Sequence, residues 1–511
     1  MVKKQELTQM SRAVPVMIQG THSDAGKSAI VTALCRIFVQ DGFKTAPFKS
    51  QNMALNSYIT VDGKEIGRAQ GVQAEAARIV ATTDMNPILI KPNGNVESQI
   101  VVHGRPYMNM KAGEYREEFF QQGLQVIREA YDRLSKSYER IVIEGAGSPA
   151  EINLNDRELV NMRVARIANA PVILVGDIDK GGVFASLVGT LQLLEPEDRK
   201  RVIGVIINKF RGDVALLQPG LTWFEEYTGV PVLGVVPYIE NLLIEAEDSL
   251  VLHTYTSKQD ESKEMDIAVI RHPMISNFTD LDPFFEEEDC HVRFVNKTED
   301  LGHPDVLILP GSKNTIADMM TLHSTGLATQ ILNLVEKGTT VVGICGGYQM
   351  LGTYIEDPHE VESTHRRVEG LGLIPMKTSM TTHKTTIQSE GMAHFGERRI
   401  PVLGYEIRMG QSSFEKECAH FIQLADRREG TITKDKHIIG TYFHGIFHND
   451  LFREAFLNEI RGKKGLEPIT NRASFSEKRE EGFDILANVV REHVQLDRLN
   501  QLLVDYQKES K

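Results

Sequence analysis

The 511-residue chain has only 4 cysteines, no surplus of basic charge, and no apolar run of membrane-spanning length. Each shortage removes a class of function. Cys35, Cys290, Cys345 and Cys418 show none of the paired spacings of a zinc site or a disulfide framework, which fits a reducing cytoplasm. The formal net charge of −13 argues against general nucleic-acid binding, which needs a basic face to neutralise phosphates. It leaves room for an anionic substrate met by a local cluster of Lys and Arg. The stretch from Met1 to Arg12 is polar and lacks an apolar core of signal-peptide length. Repeats at solenoid periods and low-complexity tracts are missing as well. The expectation is a soluble, cytoplasmic protein with no membrane partner and no nucleic-acid partner; its oligomeric state, homo-oligomer or not, is left open.

What is present is a hydrophobic content of 41%, enough in a chain of this length for two or more domains with cores of their own. From Val14 to about Val251, short β-branched runs such as Ile141-Val142-Ile143 and Val172-Ile173-Leu174-Val175 alternate with helical segments. Such runs suit parallel strands buried on both faces, and right-handed crossovers between them give an open doubly wound sheet. A polar, aperiodic stretch follows, and the alternation restarts at Ile267-Ala268-Val269-Ile270. The expected division is an ATP-binding domain over 1–252, a linker over 253–265, a second α/β domain over 266–455 and a helical C-terminal extension over 456–511.

Between the apolar run Val14 to Ile18 and a helical pattern lies Gly20-Thr21-His22-Ser23-Asp24-Ala25-Gly26-Lys27-Ser28. A glycine loop lets backbone N–H groups point at phosphate oxygens, a lysine reaches the outer phosphates, and a hydroxyl ligates Mg²⁺. Five residues separate Gly20 from Gly26 where the usual form has four, so this is a variant loop. Gly20, Thr21, Asp24, Ala25, Gly26, Lys27 and Ser28 are therefore expected to bind ATP. Glu144, ending the strand Ile141-Val142-Ile143, is expected to share Mg²⁺ with Ser28. Asn208, after the strand Val202 to Ile207, is placed where adenine recognition would be useful.

In the second half, Gly343-Ile344-Cys345-Gly346-Gly347 puts a cysteine at the junction of a buried strand and a helix. The tight turn exposes the sulfur and the helix N-terminus favours the thiolate. His444, in Tyr442-Phe443-His444-Gly445, offers a general acid/base at the end of another short strand. The Leu309-Pro310-Gly311-Ser312 loop supplies an amide at Gly311 which, with that of Gly346, would stabilise a tetrahedral oxyanion. Glu406 is the one carboxylate weighed as an orienter for His444, against the alternative of a satisfied surface group.

Gly-Ile-Cys-Gly-Gly-Tyr-Gln and Tyr-Phe-His-Gly resemble the class I glutamine amidotransferases, which release ammonia from glutamine. Ile446 stands where many of them carry a carboxylate, which points to the subgroup with a Cys-His pair. The variant loop and Glu144-Gly145-Ala146-Gly147 resemble dethiobiotin synthetase, an ATP-dependent enzyme that activates carboxylates. Longer segments, among them Pro47-Phe48-Lys49-Ser50-Gln51-Asn52-Met53 and Asn208-Lys209-Phe210-Arg211-Gly212-Asp213, resemble the cobyric acid synthase family from about Val14 to Asp450. The resemblance implies an α/β protein of two doubly wound domains, a dethiobiotin-synthetase-like P-loop NTPase followed by a glutamine amidotransferase. It further implies L-glutamine, ATP and an adenosylated corrinoid as substrates, and stepwise amidation of four peripheral carboxylates. Lys49, Gln51, Asn52, Lys91 and Arg211 sit in segments shared with that family and are expected to meet the corrinoid, with Asp177 positioning the reacting carboxyl or binding Mg²⁺. Three rivals stay open at this point: the related enzyme that amidates the a and c carboxylates, a non-catalytic ATPase switch of the partitioning type, and a ligase acting on a cell-wall precursor.

Overall fold

The computed structural model describes residues 12–93, 97–239 and 255–509. Residues 1–11 and the first two of the expected linker, 253 and 254, fall outside them. A six-stranded parallel sheet carries the first half, in the spatial order Val232–Pro237, Val202–Phe210, Val172–Asp177, Val14–Gly20, Arg140–Glu144, Thr45–Phe48. Every residue of Val14–Gly20 and Val172–Asp177 is buried, because both faces of the sheet are covered, and this is why the strands read as unbroken apolar runs. Strand order reverses beside Val14–Gly20, which pairs with Arg140–Glu144 on one side and Val172–Asp177 on the other. Such a reversal opens a crevice at the carboxyl ends of the strands, where the phosphate loop, Glu144 and Asp177 all lie.

The helix Lys27–Gln40 follows the loop and buries Ile30, Val31, Ala33, Leu34, Ile37 and Phe38. It is apolar on two sides because the sheet covers one and the C-terminal helix Phe475–His493 covers the other, while Leu496–Glu509 packs beside it on the strands Val14–Gly20 and Val232–Pro237. Leu486, Val490, Leu499 and Leu503 join its residues in one buried cluster. Fully burying side chains of this size contributes about 1.5–3 kcal/mol each, so this seam is a large part of that core. The fully buried Arg36 reinforces it with ion pairs to Asp484 (2.7 Å) and Glu480 (2.8 Å).

The second half is built on the order Cys290–Val295, Met265–Ile270, Val306–Leu309, Thr340–Ile344, Ile438–Thr441, with all these pairs parallel and Thr431–Ile432 antiparallel at the edge. The domain boundary expected at 455 falls inside the helix Asp450–Lys463. That helix packs Phe452 and Phe456 into the core of the second domain, so the extension begins after it.

Two pieces depart from plain doubly wound architecture. Gln51–Met53, Ile88–Asn93, Glu97–Val102 and Arg105–Lys111 form a small sheet over the nucleotide crevice. Met376–Phe395 and Arg398–Phe414 form a long antiparallel arm whose strands are mostly half-exposed and polar, which is why they lack the apolar runs of the parallel sheets. The arm reaches the first half, where Gln388 donates to Ile59 O (2.7 Å).

Candidate active site

The phosphate loop is shaped by backbone that side chains would resist. Asp24 (φ 59°) and Gly26 (φ 95°) are left-handed, and a Cβ on Gly26 would stand 2.0 Å from Asn208 Nδ2. Lys27 Nζ donates to His22 O (2.9 Å) and Gly147 O (3.2 Å), which curls it over the loop. Ser28 Oγ donates to Glu144 Oε1 (2.8 Å), and Lys49 Nζ pairs with the same oxygen at 2.9 Å. Gln73 Nε2 donates to the other carboxylate oxygen. Glu144 is thus held rigidly opposite the first turn of the helix that begins at Lys27.

Around these groups opens a cleft of about 990 Å³. Gly26, Lys27, Ser28, Lys49, Gln51, Asn52, Glu144 and Lys209 line its polar end, and Met53, Val72, Ile90, Ile100 and Tyr115 its apolar side. Gln51 accepts a hydrogen bond from the Tyr115 hydroxyl, and Asn52 Nδ2 donates to Gln70 (3.1 Å). Among the described residues no cluster of three His, Cys, Asp or Glu is arranged for a metal. Mg²⁺ in nucleotide sites needs none, since it is held by one or two protein oxygens together with phosphates and water, and Ser28 with Glu144 fits that donor set.

Three expected roles are corrected by side-chain direction. Asn208 Nδ2 donates to Ala25 O (3.0 Å) beneath Gly26, so it braces the loop where adenine recognition was expected. Asp177 is committed to Lys209 Nζ (2.8 Å) and to the Asp179 amide (2.9 Å), away from the cleft lining. Burial opposes its charge, yet Lys209 holds the carboxyl below its ordinary range. Since Lys209 also donates to Asp24 O (2.6 Å), it ties Asp177 to the phosphate loop. Lys91 lies on the opposite face of the small sheet from the cleft and lines the cavity that contains Cys345. Arg211 stacks over Tyr238 at 3.6 Å and pairs with Asp179 at 3.3 Å.

Strand pairing brings the second site together. Gly343 and Ile344 lie opposite Gly440 and Thr441, so the residues that follow, Cys345 and the segment to His444, emerge side by side. Cys345 has φ 53° and ψ −108°, an uncommon conformation held by its amide donating to Thr441 O (2.8 Å). Its Sγ lies 3.3 Å from Ile407 O. His444 is fully buried, stacked on Tyr405 at 5.0 Å, with Nδ1 2.7 Å from Asp280 Oδ2. Asp280 also accepts from the Gly445 amide (2.8 Å), so both its oxygens are fixed. Burial disfavours a charged ring, but the Asp280 carboxylate, and after it the Cys345 sulfur, outweigh that and hold the imidazole well above its ordinary pKa. Nδ1 is taken by Asp280, and Nε2, with no other hydrogen-bond partner among the described residues, is left to the Cys345 sulfur. This is the geometry of a nucleophile, a base and a group that orients the base.

Asp280 is the functional residue that sequence reasoning missed. It sits in the turn Phe278–Leu281, 164 residues from His444, in a segment with no motif, so nothing local marked it. Glu406, weighed for that task, is instead fully buried between Arg408 and Arg427. The oxyanion loop is close-packed on the elbow: a Cβ on Gly346 would stand 2.8 Å from Ser312 N, so the backbones of 312 and 346 share one small space. Gly311 pairs with Ser276 in a two-residue antiparallel bridge beside it, and a Cβ there would lie 3.5 Å from the His444 ring. The whole pocket has a free volume of about 50 Å³.

Comparison with known proteins agrees with both halves. The family described as a CobQ/CobB/MinD/ParA nucleotide binding domain matches residues 16–251, and that described as a CobB/CobQ-like glutamine amidotransferase domain matches residues 266–452. A protein of Geobacillus sp. (strain WCH70) named cobyric acid synthase is 62% identical over 500 residues, covering 98% of this chain and 99% of that relative. One of the same name from Anoxybacillus flavithermus is 60% identical over 98% of this chain, and another from Caldanaerobacter subterraneus is 50% identical over 97%. The relatives match from end to end, so the likeness takes in both sites and the tail that joins them. With a nucleotide loop in one half, a cysteine elbow in the other and full-length relatives of one name, the chain belongs to the cobyric acid synthase family.

Proposed function

We propose that the chain converts adenosylcobyrinic acid a,c-diamide to adenosylcobyric acid in the cytoplasm, amidating the b, d, e and g carboxylates in turn with nitrogen from glutamine and one ATP per amide. The observation that carries this reading is the Cys345, His444 and Asp280 constellation standing in the same molecule as Ser28 and Glu144 at a phosphate loop.

In the amidotransferase half the Cys345 thiolate attacks the side-chain carbonyl of glutamine. The amides of Gly346 and the Gly311 loop stabilise the oxyanion, and His444 passes its proton to the departing nitrogen. Asp280 keeps Nδ1 occupied so that Nε2 is the atom that exchanges the proton. Water then cleaves the thioester, with His444 as base. In the synthetase half, Lys27 and the loop amides hold the nucleotide phosphates, and Ser28 and Glu144 hold Mg²⁺. The ion, when bound, offsets negative charge on the phosphoryl group in transfer. The corrinoid carboxylate takes the phosphoryl group, and ammonia displaces phosphate from the acyl phosphate. The apolar side of the cleft, Met53, Val72, Ile90, Ile100 and Tyr115, suits a flat macrocycle, while Lys49, Gln51 and Asn52 meet its carboxylate rim. A roomy site of this kind suits a substrate that must be presented in four orientations.

The test is incubation with adenosylcobyrinic a,c-diamide, glutamine and Mg-ATP followed by product masses. Successive single amidations ending at four support the reading. Amidation of cobyrinic acid itself, or no mass change with folded protein, overturns it.

A further inference from the structure

The two reaction centres lie on opposite faces of one thin wall. Side chains alternate between the faces of a strand. In the small sheet, Ile90, Ser98 and Ile100 line the nucleotide cleft, whereas their neighbours Lys91 and Gln99 line the cavity that holds Cys345. Ile90 pairs across the strands with Ile100, and Lys91 with Gln99, so a single backbone layer separates the two spaces.

Behind Lys91 stands Glu65, whose side chain is 1% exposed. It accepts from Ser57 Oγ (2.6 Å) and Lys91 Nζ (2.5 Å) with one oxygen, and its other oxygen takes Lys384 from the amidotransferase half. Lys384 arrives there because the long arm bulges: Met380 and Thr385 pair with Gly410 and Arg408, so residues 381–384 face a single partner residue. A bulge of this kind re-aims a side chain. The seam around it is closed by reciprocal bonds, Ser57 N to Asn277 Oδ1 (2.9 Å) and Asn277 N to Asn56 Oδ1 (2.8 Å).

We infer that Glu65 couples the two centres as a positioning residue, holding Lys91 of the dividing sheet and Lys384 of the arm to its two oxygens, so that nitrogen released at Cys345 is delivered to the synthetase cleft and not to the medium. The inference rests on the function proposed above. Neither half needs this contact for its own chemistry, since Glu65 touches neither the phosphate loop nor the Cys345 elbow. Lys91, Lys313, Lys384 and Arg408 line the cavity, with Glu362 its one lining carboxyl group among the described residues; burial pushes Glu362 toward its neutral form and also lowers Lys91, to about 8, and Lys313. Such a lining repels ammonium ion and passes neutral ammonia, the form that attacks an acyl phosphate.

The test uses the full chain carrying Glu65→Gln, and separately Lys384→Met. It measures glutamine hydrolysed per amide formed, ammonia in the medium, and synthesis supported by added ammonia. Synthesis from glutamine by the unsubstituted chain is checked first; its absence there overturns the functional reading and this inference with it. In the variants we expect glutamine consumed per amide to rise about threefold or more, the lower range of coupling changes between sites. Ammonia-supported synthesis should stay close to that of the parent, and Glu65→Asp should restore most of the coupling. A ratio unchanged in both variants, or both half-reactions falling together at constant ratio, overturns the inference. Lys384→Met carries the test if Glu65→Gln fails to fold.

Discussion

At the nucleotide cleft the reactive groups border an open space of about 990 Å³, and their charges are paired along its wall, Lys49 with Glu144, while Lys209 pairs with Asp177 behind the lining. At Cys345 the free space is about 50 Å³, the nucleophile is in an uncommon backbone conformation, and the base and its carboxylate are buried. The difference follows the substrates. A cleft that admits a macrocycle several times over has to leave room, so it fixes only the phosphate end. A pocket for one amino acid side chain is able to fix every atom, and it concentrates strain and buried charge where the covalent step occurs.

Four substitutions separate the two regions, in falling order of effect. Cys345→Ala should lower glutamine-dependent synthesis by about 10⁴-fold or more while leaving synthesis from added ammonia near the parent rate, as expected when a nucleophile is removed. Loss of both activities in a rate assay with each nitrogen source would show that the two sites are not separable. Lys27→Ala should cost about 10²–10³-fold with either source, the usual scale for one charge-stabilising contact. An ammonia-supported rate equal to the parent's would remove the loop from catalysis.

Asp280→Asn should lower glutamine hydrolysis by about 10²-fold or more, because the imidazole loses its orienter and its counter-charge. The pH profile sharpens this. Held above its ordinary pKa by Asp280, His444 keeps the proton it donates as pH rises, and its pairing stabilises the fold fully below about 6.5, the unfolded value, fading as pH climbs through the raised folded value. In the variant the alkaline limb of hydrolysis should move to lower pH, with ammonia-supported synthesis unmoved. A profile that stays in place would show that Asp280 does not set the charge of the ring. Asp484→Ala should be mildest: Arg36 keeps Glu480, the lost partner is 43% exposed, and the expected cost is about 1 kcal/mol. Thermal melting of the full chain checks it, and a loss several times larger would mean that the tail seam depends on that ion pair.

How much was legible in the sequence depended on whether the information was local. The loop Gly20 to Ser28 and the elbow at Cys345 carry their geometry in adjacent residue types, so both could be read directly. Lys91 could have been placed better, since the alternation along Ile88–Asn93 already puts it on the face opposite Ile90. Asp177 was correctly set at a strand end, whereas Asn208, expected after the strand, lies inside Val202–Phe210; in neither case does strand position tell which partner a carboxylate or amide will take, and Lys209 took Asp177. Asp280 and the pairing of Glu65 with Lys384 depend on tertiary packing between distant segments. The long polar arm was invisible for a related reason: its burial comes from neighbours and not from an apolar repeat of its own.

The seam between the helix Lys27–Gln40 and the C-terminal helices has a consequence for how the molecule is made. Ile30, Leu34 and Phe38 leave the ribosome well before Leu486 and Val490, which cover them and lie far downstream in the chain. At about 5–20 residues per second the interval is on the order of half a minute, during which the apolar back of the phosphate-loop helix is bare. The nucleotide half, first in the chain, is therefore the last to be finished, and a nascent chain stalled before Phe475 would hold a complete cysteine pocket beside an ATP site whose supporting helix has no outer wall.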